Sequence, residues 1–441
     1  RPYLNYFTSS LSGKQIFFLK ETNPMTARIR KYHQIARSLL KPSQKELEHG
    51  FQLHYNSLVV DAYGFSPHAS VDAERLKKIV AEGCSAIEYH DAVEEMIMTG
   101  CLSHPKWQAE FKAAWEASGL TCLMQNAGEE GQEPLRMLKR FARYTLLVEL
   151  MRDFWVKVCV PEDISQAKKQ NRRGLCFTCN GVPLTQSWNS VEEELAYLRV
   201  FFQLGCRMMH LTYNRRNMLG DGCGEKSNAG LSDLGQAAIR EMNRVGIIVD
   251  VAHCGWQTSL QAAKFSCKPV VASHSGACGV NLHLRNKPDE VIKAIADSGG
   301  YIGVCAIPYF LGSKGDITAF LDHIDYIAKK FGPDCVAIGT DRAYVCQLEG
   351  REKTVAGPAS RSRFQALWPE ASLPKENDPD WEKEEQMGSL DWTCWPYFTV
   401  GLVQRGYSDQ DIQKIIGLNV LRVLKANFPY EKYLLANNPD G

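Results

Sequence analysis

Apolar, β-branched runs alternate along this chain with stretches of helical periodicity. Eight such runs can be counted, at 58–64, 121–128, 175–181, 207–214, 246–253, 269–277, 300–307 and 335–341. Near-continuous hydrophobic strands read as parallel and buried on both faces, and eight of them alternating with helices close most simply into a (β/α)8 TIM barrel. An open doubly wound sheet is the alternative. Helix starts carry their own signals: Ser408 with Asp411 makes a capping box before the Ile412, Ile415, Ile416 stripe, and Ser232 opens the stretch holding Ile239 and Met242. The chain divides into a polar, helical N-terminal extension (1–52), the barrel (53–343), an insertion or lid (344–390) and C-terminal helices packing on the barrel (391–441). The 344–390 stretch is rich in Glu, Pro, Trp and Ser without periodicity. A connection of that length is uncommon unless functional, and this one leaves from the strand end where barrel active sites lie.

Composition narrows the partners. Of 441 residues 44% are hydrophobic and 10% aromatic, and 51 Lys plus Arg face 50 Asp plus Glu for a net charge of +1. Such a chain has no global field to draw nucleic acid or an acidic membrane surface, so its partner is expected to be small or local. The apolar stretch around Leu146 to Leu150 is broken by Arg and Glu well before the ~20 residues a membrane span needs. The first twenty residues hold no continuous apolar core, so a targeting segment is expected to be absent from this chain. The fifteen cysteines are an odd count, and Cys176, Cys179, Cys206, Cys305 and Cys335 fall inside apolar runs. That pattern predicts free thiols and, by itself, a reducing compartment.

In a barrel, the last residues of each strand share one mouth. The candidates are Asp61 and Tyr63 from the first strand, Asn180 from the third, Tyr213 from the fourth, His253 from the fifth, His274 from the sixth and Asp341 from the eighth. Two imidazoles on adjacent strands with a carboxylate nearby supply ligands for Zn²⁺ or a related divalent ion, or else a base and an acid. A lone histidine near a strand end is more often a hydrogen-bonded structural residue. Strand alternation turns Cys254 away from the mouth and His210 towards the helices, and His54, His68 and His104 fall outside ligand spacing. Trp392 and Trp395 read as a core anchor for the insertion, and 382–385 as a solvated charged face.

Several ordered stretches carry a resemblance: Gly230-Leu-Ser-Asp-Leu-Gly235, Arg240-Glu-Met-Asn-Arg-Val-Gly246, Ile248-Val-Asp-Val-Ala-His253, Ala272-Ser-His-Ser275, Arg285-Asn-Lys-Pro-Asp289, Asp322-His-Ile-Asp325, and Arg405-Gly-Tyr-Ser408 running to Asn419 and Leu421-Arg422. Over roughly 54–342 and 400–425 the chain resembles the membrane (renal-type) dipeptidases, binuclear zinc peptidases on a (β/α)8 barrel. The resemblance implies that His253 and His274 look like two ligands of one zinc, Arg285 like the arginine that holds the substrate carboxylate, and Asp341 like the carboxylate beside the second zinc. Where that family has a His-x-Asp pair at the end of its first strand, this chain has Tyr63 and Phe65. Its bridging glutamate is matched by Asn180, and its active-site histidine by Tyr213. A two-metal hydrolytic site needs anionic ligands to hold two dications close, and a neutral amide is a far poorer ligand than a carboxylate. The expectation is therefore at most one divalent ion, zinc for example, on His253, His274 and Asp341, with no organic cofactor. The same three residues are the expected catalytic groups, unless they only hydrogen-bond one another in a decayed site. Arg285, Tyr213, Tyr63 and Asn180 are the expected substrate-binding residues, the two phenols able to stack on a flat aromatic ligand.

Within the family, the altered metal positions together with the insertion resemble dipeptidase-like proteins that act in pyoverdine siderophore maturation. That resemblance implies a periplasmic location, outweighing the cysteine count, and a small peptide or siderophore precursor such as ferribactin as ligand. It also implies a role in chromophore oxidation or tautomerisation and a tyrosinase-type oxidase as partner; a homodimer is left open. Two alternatives stand beside it: an active zinc-dependent membrane-type dipeptidase, and a non-catalytic precursor-binding partner of the oxidase.

Overall fold

The computed structural model describes residues 26–128, 133–346, 357–358, 368–369 and 380–429. The start of the N-terminal extension, most of the 344–390 insertion and the last twelve positions therefore lie outside the described residues. Among the described residues there are nine parallel strands: β1 (Val60–Gly64), β2 (Cys122–Asn126), β3 (Trp155–Lys157), β4 (Arg173–Cys179), β5 (Cys206–His210), β6 (Ile248–Asp250), β7 (Val270–Ser275), β8 (Ile302–Val304) and β9 (Val336–Ile338). Eight of them run in the order β1-β2-β4-β5-β6-β7-β8-β9, which is the TIM-barrel-like α/β architecture read from the eight apolar runs. The barrel closes through main-chain bonds beyond the last strand: Asp341 N donates to Tyr63 O at 3.0 Å, and Phe65 N to Arg342 O at 3.1 Å. Strand β3, unforeseen in the sequence, lies off this path and pairs with the start of β4, Trp155 opposite Arg173. Three residues, two of them half-buried, are too few to show a pattern.

Both faces of the barrel strands are covered, so β4 is buried at all seven positions. An inner layer of Val60, Ala62, Met124, Cys176, Met208, Ile248, Val271 and Ala337 fills the barrel. Outside it the helices present apolar stripes; helix Asp233–Val245 buries Ala238, Ile239, Met242 and Val245 and is capped by Ser232, whose Oγ accepts from Gly235 N at 3.0 Å. The three strands β7, β8 and β9 approach closely because of two glycines. A Cβ on Gly303 or on Gly339 would sit 1.9 Å from Ser273 O. No other residue fits there, and the peptide they admit is the one that leads into His274.

The N-terminal helices Ala27–Leu40 and Gln44–Asn56 are joined by a Ser43–Glu46 capping box. The second crosses helix Trp395–Gln404 at Gly50, where a Cβ would lie 2.8 Å from Val400 Cα. Trp392 and Trp395 are fully buried, and Trp392 meets the edge of Trp115 with ring centroids 4.9 Å apart. All fifteen cysteines are free thiols. Among the described residues no helix is long and apolar enough to cross a membrane.

Candidate functional site

Strand β7 carries His274, and His253 follows β6 by three residues. Their Nε2 atoms face each other at 2.9 Å. His253 Nδ1 lies 2.7 Å from Asn214 Oδ1, an acceptor, so this ring keeps its proton on Nδ1 and offers a lone pair at Nε2. Arg285 Nη2 approaches the same lone pair at 3.3 Å. His274 Nδ1 meets Ser273 Oγ at 2.8 Å, a group that can donate or accept, so His274 Nε2 can present either a proton or a lone pair. With the proton, the two rings share a hydrogen bond. With a lone pair, only a cation between them makes the contact favourable. Burial first, and then the nearby Arg285 charge, hold both imidazoles well below their ordinary pKa, so both are neutral.

Each imidazole is covered by a tyrosine. Tyr63 stacks on His274 with centroids 3.9 Å apart and planes at 15°, and Tyr213 on His253 at 4.1 Å and 25°. The Tyr63 hydroxyl donates to Asn180 Oδ1. The two residues at the altered first-strand and third-strand positions are thus bonded to each other.

His210 does not face the helices as expected from the sequence. Its ring lies 5.2 to 5.4 Å from those of His253, His274 and Tyr63. The period of two holds only within β5, where Met208 belongs to the inner layer and His210 follows it inward; Tyr213 lies three residues past the strand and cannot set the phase. Asp250, at the end of β6, also points inward. Its Oδ1 accepts from Ala252 N at 2.9 Å and Ser273 N at 3.0 Å. Its Oδ2 lies 2.8 Å from His210 Nε2 but off the line a hydrogen bond requires, which leaves both buried atoms without a hydrogen-bond partner. Burial alone would raise the Asp250 pKa; the adjacent His210 and the Ser273 donors outweigh it and keep the carboxyl below its ordinary value. His210, Asp250 and His274 can bring one donor atom each to within 4.8 Å of one another.

Of the three expected metal ligands only His274 belongs to that donor group; His253 falls outside it, and so does Asp341. Its backbone, pinned to Tyr63 O, takes a left-handed φ of 54° and turns the carboxyl into the open mouth. Burial pushes this carboxyl up to about 6, with Arg285 and Arg342 pulling the other way. Arg285 is fully buried behind the imidazoles. It donates to the carbonyls of Ala252 and His274, the latter at 3.0 Å, and lies over the Phe310 ring at 5.6 Å. It does not line the cavity, and its Nε has no hydrogen-bond partner.

The mouth opens into a cavity of about 440 Å³. Tyr63, Asn180, Tyr213, His253 and Asp341 line one side, with Phe310 and Trp368 over them. Trp368, from the insertion, meets Phe310 with centroids 5.9 Å apart and the His253 ring at 6.4 Å. The same cavity is lined by His68, Glu94, Asn126, Arg140 and Tyr144, none of them singled out from the sequence as site residues. Asn126 ends β2, so the strand-end rule reaches it; Glu94 and Arg140 lie on helices and carry no such signal. Asp61, by contrast, lies below the mouth as a structural acceptor for Thr340 N, Thr340 Oγ1 and Trp392 Nε1 at 2.9, 2.6 and 3.2 Å.

Residues 114–358, more than half of the chain, match the membrane dipeptidase family, peptidase family M19. The chain belongs to the membrane dipeptidase family. Among its relatives, dipeptidase tcpJ of Claviceps purpurea is 25% identical over 294 residues, which are 66% of this chain and 60% of that protein's own length. An amidohydrolase from Pseudomonas aeruginosa is similar in structure, with a TM-score of 0.61 and 24% identity over 86% of this chain and 98% of that one. The probable dipeptidase PvdM from the same organism has a TM-score of 0.61 and 18% identity over 87% and 98%. A Rhodobacter sphaeroides metallo peptidase bound to a phosphinate mimic of L-Ala-D-Ala has a TM-score of 0.58 and 15% identity over 85% and 100%. These structural likenesses concern the fold.

Membrane dipeptidases include metallo peptidases, so the donors here bear on a metal. The group that could hold one cation is His210, Asp250 and His274, of which the His210 Nε2 and Asp250 Oδ2 atoms have no hydrogen-bond partner. An ion held there would polarise a carbonyl or acidify a water. Among the described residues no second group of three such donors is present.

Proposed function

We propose that this membrane dipeptidase relative binds a small, peptide-derived ligand bearing an aromatic ring and moves protons on it, without splitting a peptide bond between two metal ions. The observation that carries this reading is the Tyr63 ring stacked on His274 with its hydroxyl on Asn180, which fills positions where two-metal chemistry needs anionic ligands. A mouth floored by two stacked phenols and roofed by Phe310 and Trp368 suits a flat aromatic group. Asp341, with its carboxyl raised to about 6 at the cavity wall, is the group that gives and takes the proton, with His253 beside it in the same cavity.

In its finer form the ligand is a siderophore precursor of the pyoverdine type. The step is then a tautomerisation accompanying oxidation by a tyrosinase-type partner in the periplasm. The sequence resemblance to dipeptidase-like proteins of that maturation supports this form. A second reading, a zinc-dependent dipeptidase using one ion, is favoured by the convergent His253 and His274 nitrogens and by the match to a fungal dipeptidase.

Purified chain is incubated with Zn²⁺, Mn²⁺ or Co²⁺ and a panel of dipeptides, with metal content measured in parallel. The proposal expects no more than one ion per chain and no hydrolysis. Brisk dipeptide turnover favours the second reading. If His253→Ala and His274→Ala both leave precursor maturation unaffected, the protein is a binding partner and the catalytic reading falls.

A further inference from the structure

The cavity also carries polar chemistry that the site described so far does not use. Asn126 is 3% exposed, lines the cavity, and its Oδ1 has no hydrogen-bond partner. Buried amides are as a rule met by a partner, so an unmet one at a cavity wall marks a place for a ligand atom. Close by, helix Pro134–Leu150 sends Arg140 and, one turn later, Tyr144 into the same cavity. Arg140 is 12% exposed, and its Nη1 donates to Glu94 Oε1 at 2.7 Å while its buried Nε has no partner.

Glu94 does not neutralise this guanidinium. Arg136 and Arg143 also donate to it, at 3.1 and 3.2 Å. Burial works against its charge, yet the three guanidiniums hold its pKa below the ordinary value. Arg143 has a further acceptor in Asp91 at 2.7 Å. Of the three, Arg140 is the one that lines the cavity, and it brings positive charge that its shared carboxylate does not cancel. His68 in the same cavity is held down to about 4 by burial and by Arg140, so it is neutral and adds no competing charge. Arg285, by contrast, does not line the cavity.

We infer that Arg140 and Asn126 form an anion-reading end of the cavity, where a free carboxylate of the ligand pairs with Arg140 and an adjoining N–H is accepted by Asn126 Oδ1. The ligand class is a small peptide or amino-acid derivative with both a free carboxylate and an aromatic ring, the ring reaching towards Tyr213 and Phe310. This rests on the reading of the cavity as an aromatic-ligand site. A guanidinium recognises a carboxylate in a planar, two-pronged way that lysine cannot copy, so the arginine itself matters.

The test compares binding of glycyl-tyrosine and glycyl-tyrosinamide to the full chain by calorimetry. Wild type should bind the acid about tenfold tighter than the amide, as one desolvated charge-assisted contact provides. Arg140→Met should erase that difference while still binding both, and Arg140→Lys should keep part of it. Asn126→Ala, which removes a side chain with no hydrogen bond at its Oδ1, should weaken acid and amide alike, with circular dichroism matching wild type. Preference for the acid surviving in well-folded Arg140→Met overturns the assignment of Arg140 alone. Failure of both peptides to bind wild type overturns the aromatic-ligand reading together with it.

Discussion

The bond between the Tyr63 phenol and the Asn180 amide is open to direct test. Tyr63→Phe deletes the donor and leaves Asn180 Oδ1 unmet in a buried place, so it should cost about 1–3 kcal/mol in urea denaturation. Asn180→Glu alone should leave metal content at one ion or none. The triple change Tyr63→His, Phe65→Asp and Asn180→Glu supplies the family's missing donors and should raise it towards two by elemental analysis. Much of this mouth was legible in the sequence: Tyr63, Asn180, Tyr213, His253 and Asp341 meet in one cavity because each ends or follows a strand. Arg285 and the His210–Asp250 pair were not. Resemblance gives an arginine's position but not whether carbonyls have captured it, and alternation counted past the end of β5 gives the wrong face for His210.

At the level of elements, the eight barrel strands could be read because strands covered on both faces leave continuous apolar runs, whereas β3 is short and half-covered and leaves none. The strand contacts, however, depend on glycines whose role no pattern reveals. Gly303→Ala would drive its Cβ into Ser273 O, a backbone atom with nowhere to go. It should cost more than the about 1–3 kcal/mol of ordinary overpacking, read from the urea midpoint. Because Ser273 leads into His274, a folded fraction of this variant should also show altered imidazole resonances by NMR. The insertion contributes through single side chains: Trp368 meets the His253 ring with centroids 6.4 Å apart and Trp381 meets Tyr309 with centroids 5.2 Å apart. Trp368→Ala should accordingly weaken binding of an aromatic dipeptide more than it lowers stability, a contrast visible by pairing calorimetry with urea denaturation.

Across the whole molecule, one carboxyl joins the first strand, the residues after the last strand and the C-terminal region, since Asp61 accepts from Thr340 and from Trp392. Burial pushes its pKa up to about 7, although four donors pull downwards. The folded chain therefore keeps this proton up to about pH 7, while the unfolded chain loses it near pH 4. Between those values the native state binds more protons, so stability falls as pH rises, and Asp61→Asn should flatten that slope in urea denaturation across the same window. The barrel seam has a further consequence. Asp341 and Tyr63 meet across main-chain bonds that join the two ends of the barrel, so a chain still emerging from the ribosome is an open curl with half a pocket. Ligand cannot assist its folding until the final strand has been synthesised, and any fragment ending before that point should be unable to hold the molecule that the finished protein recognises.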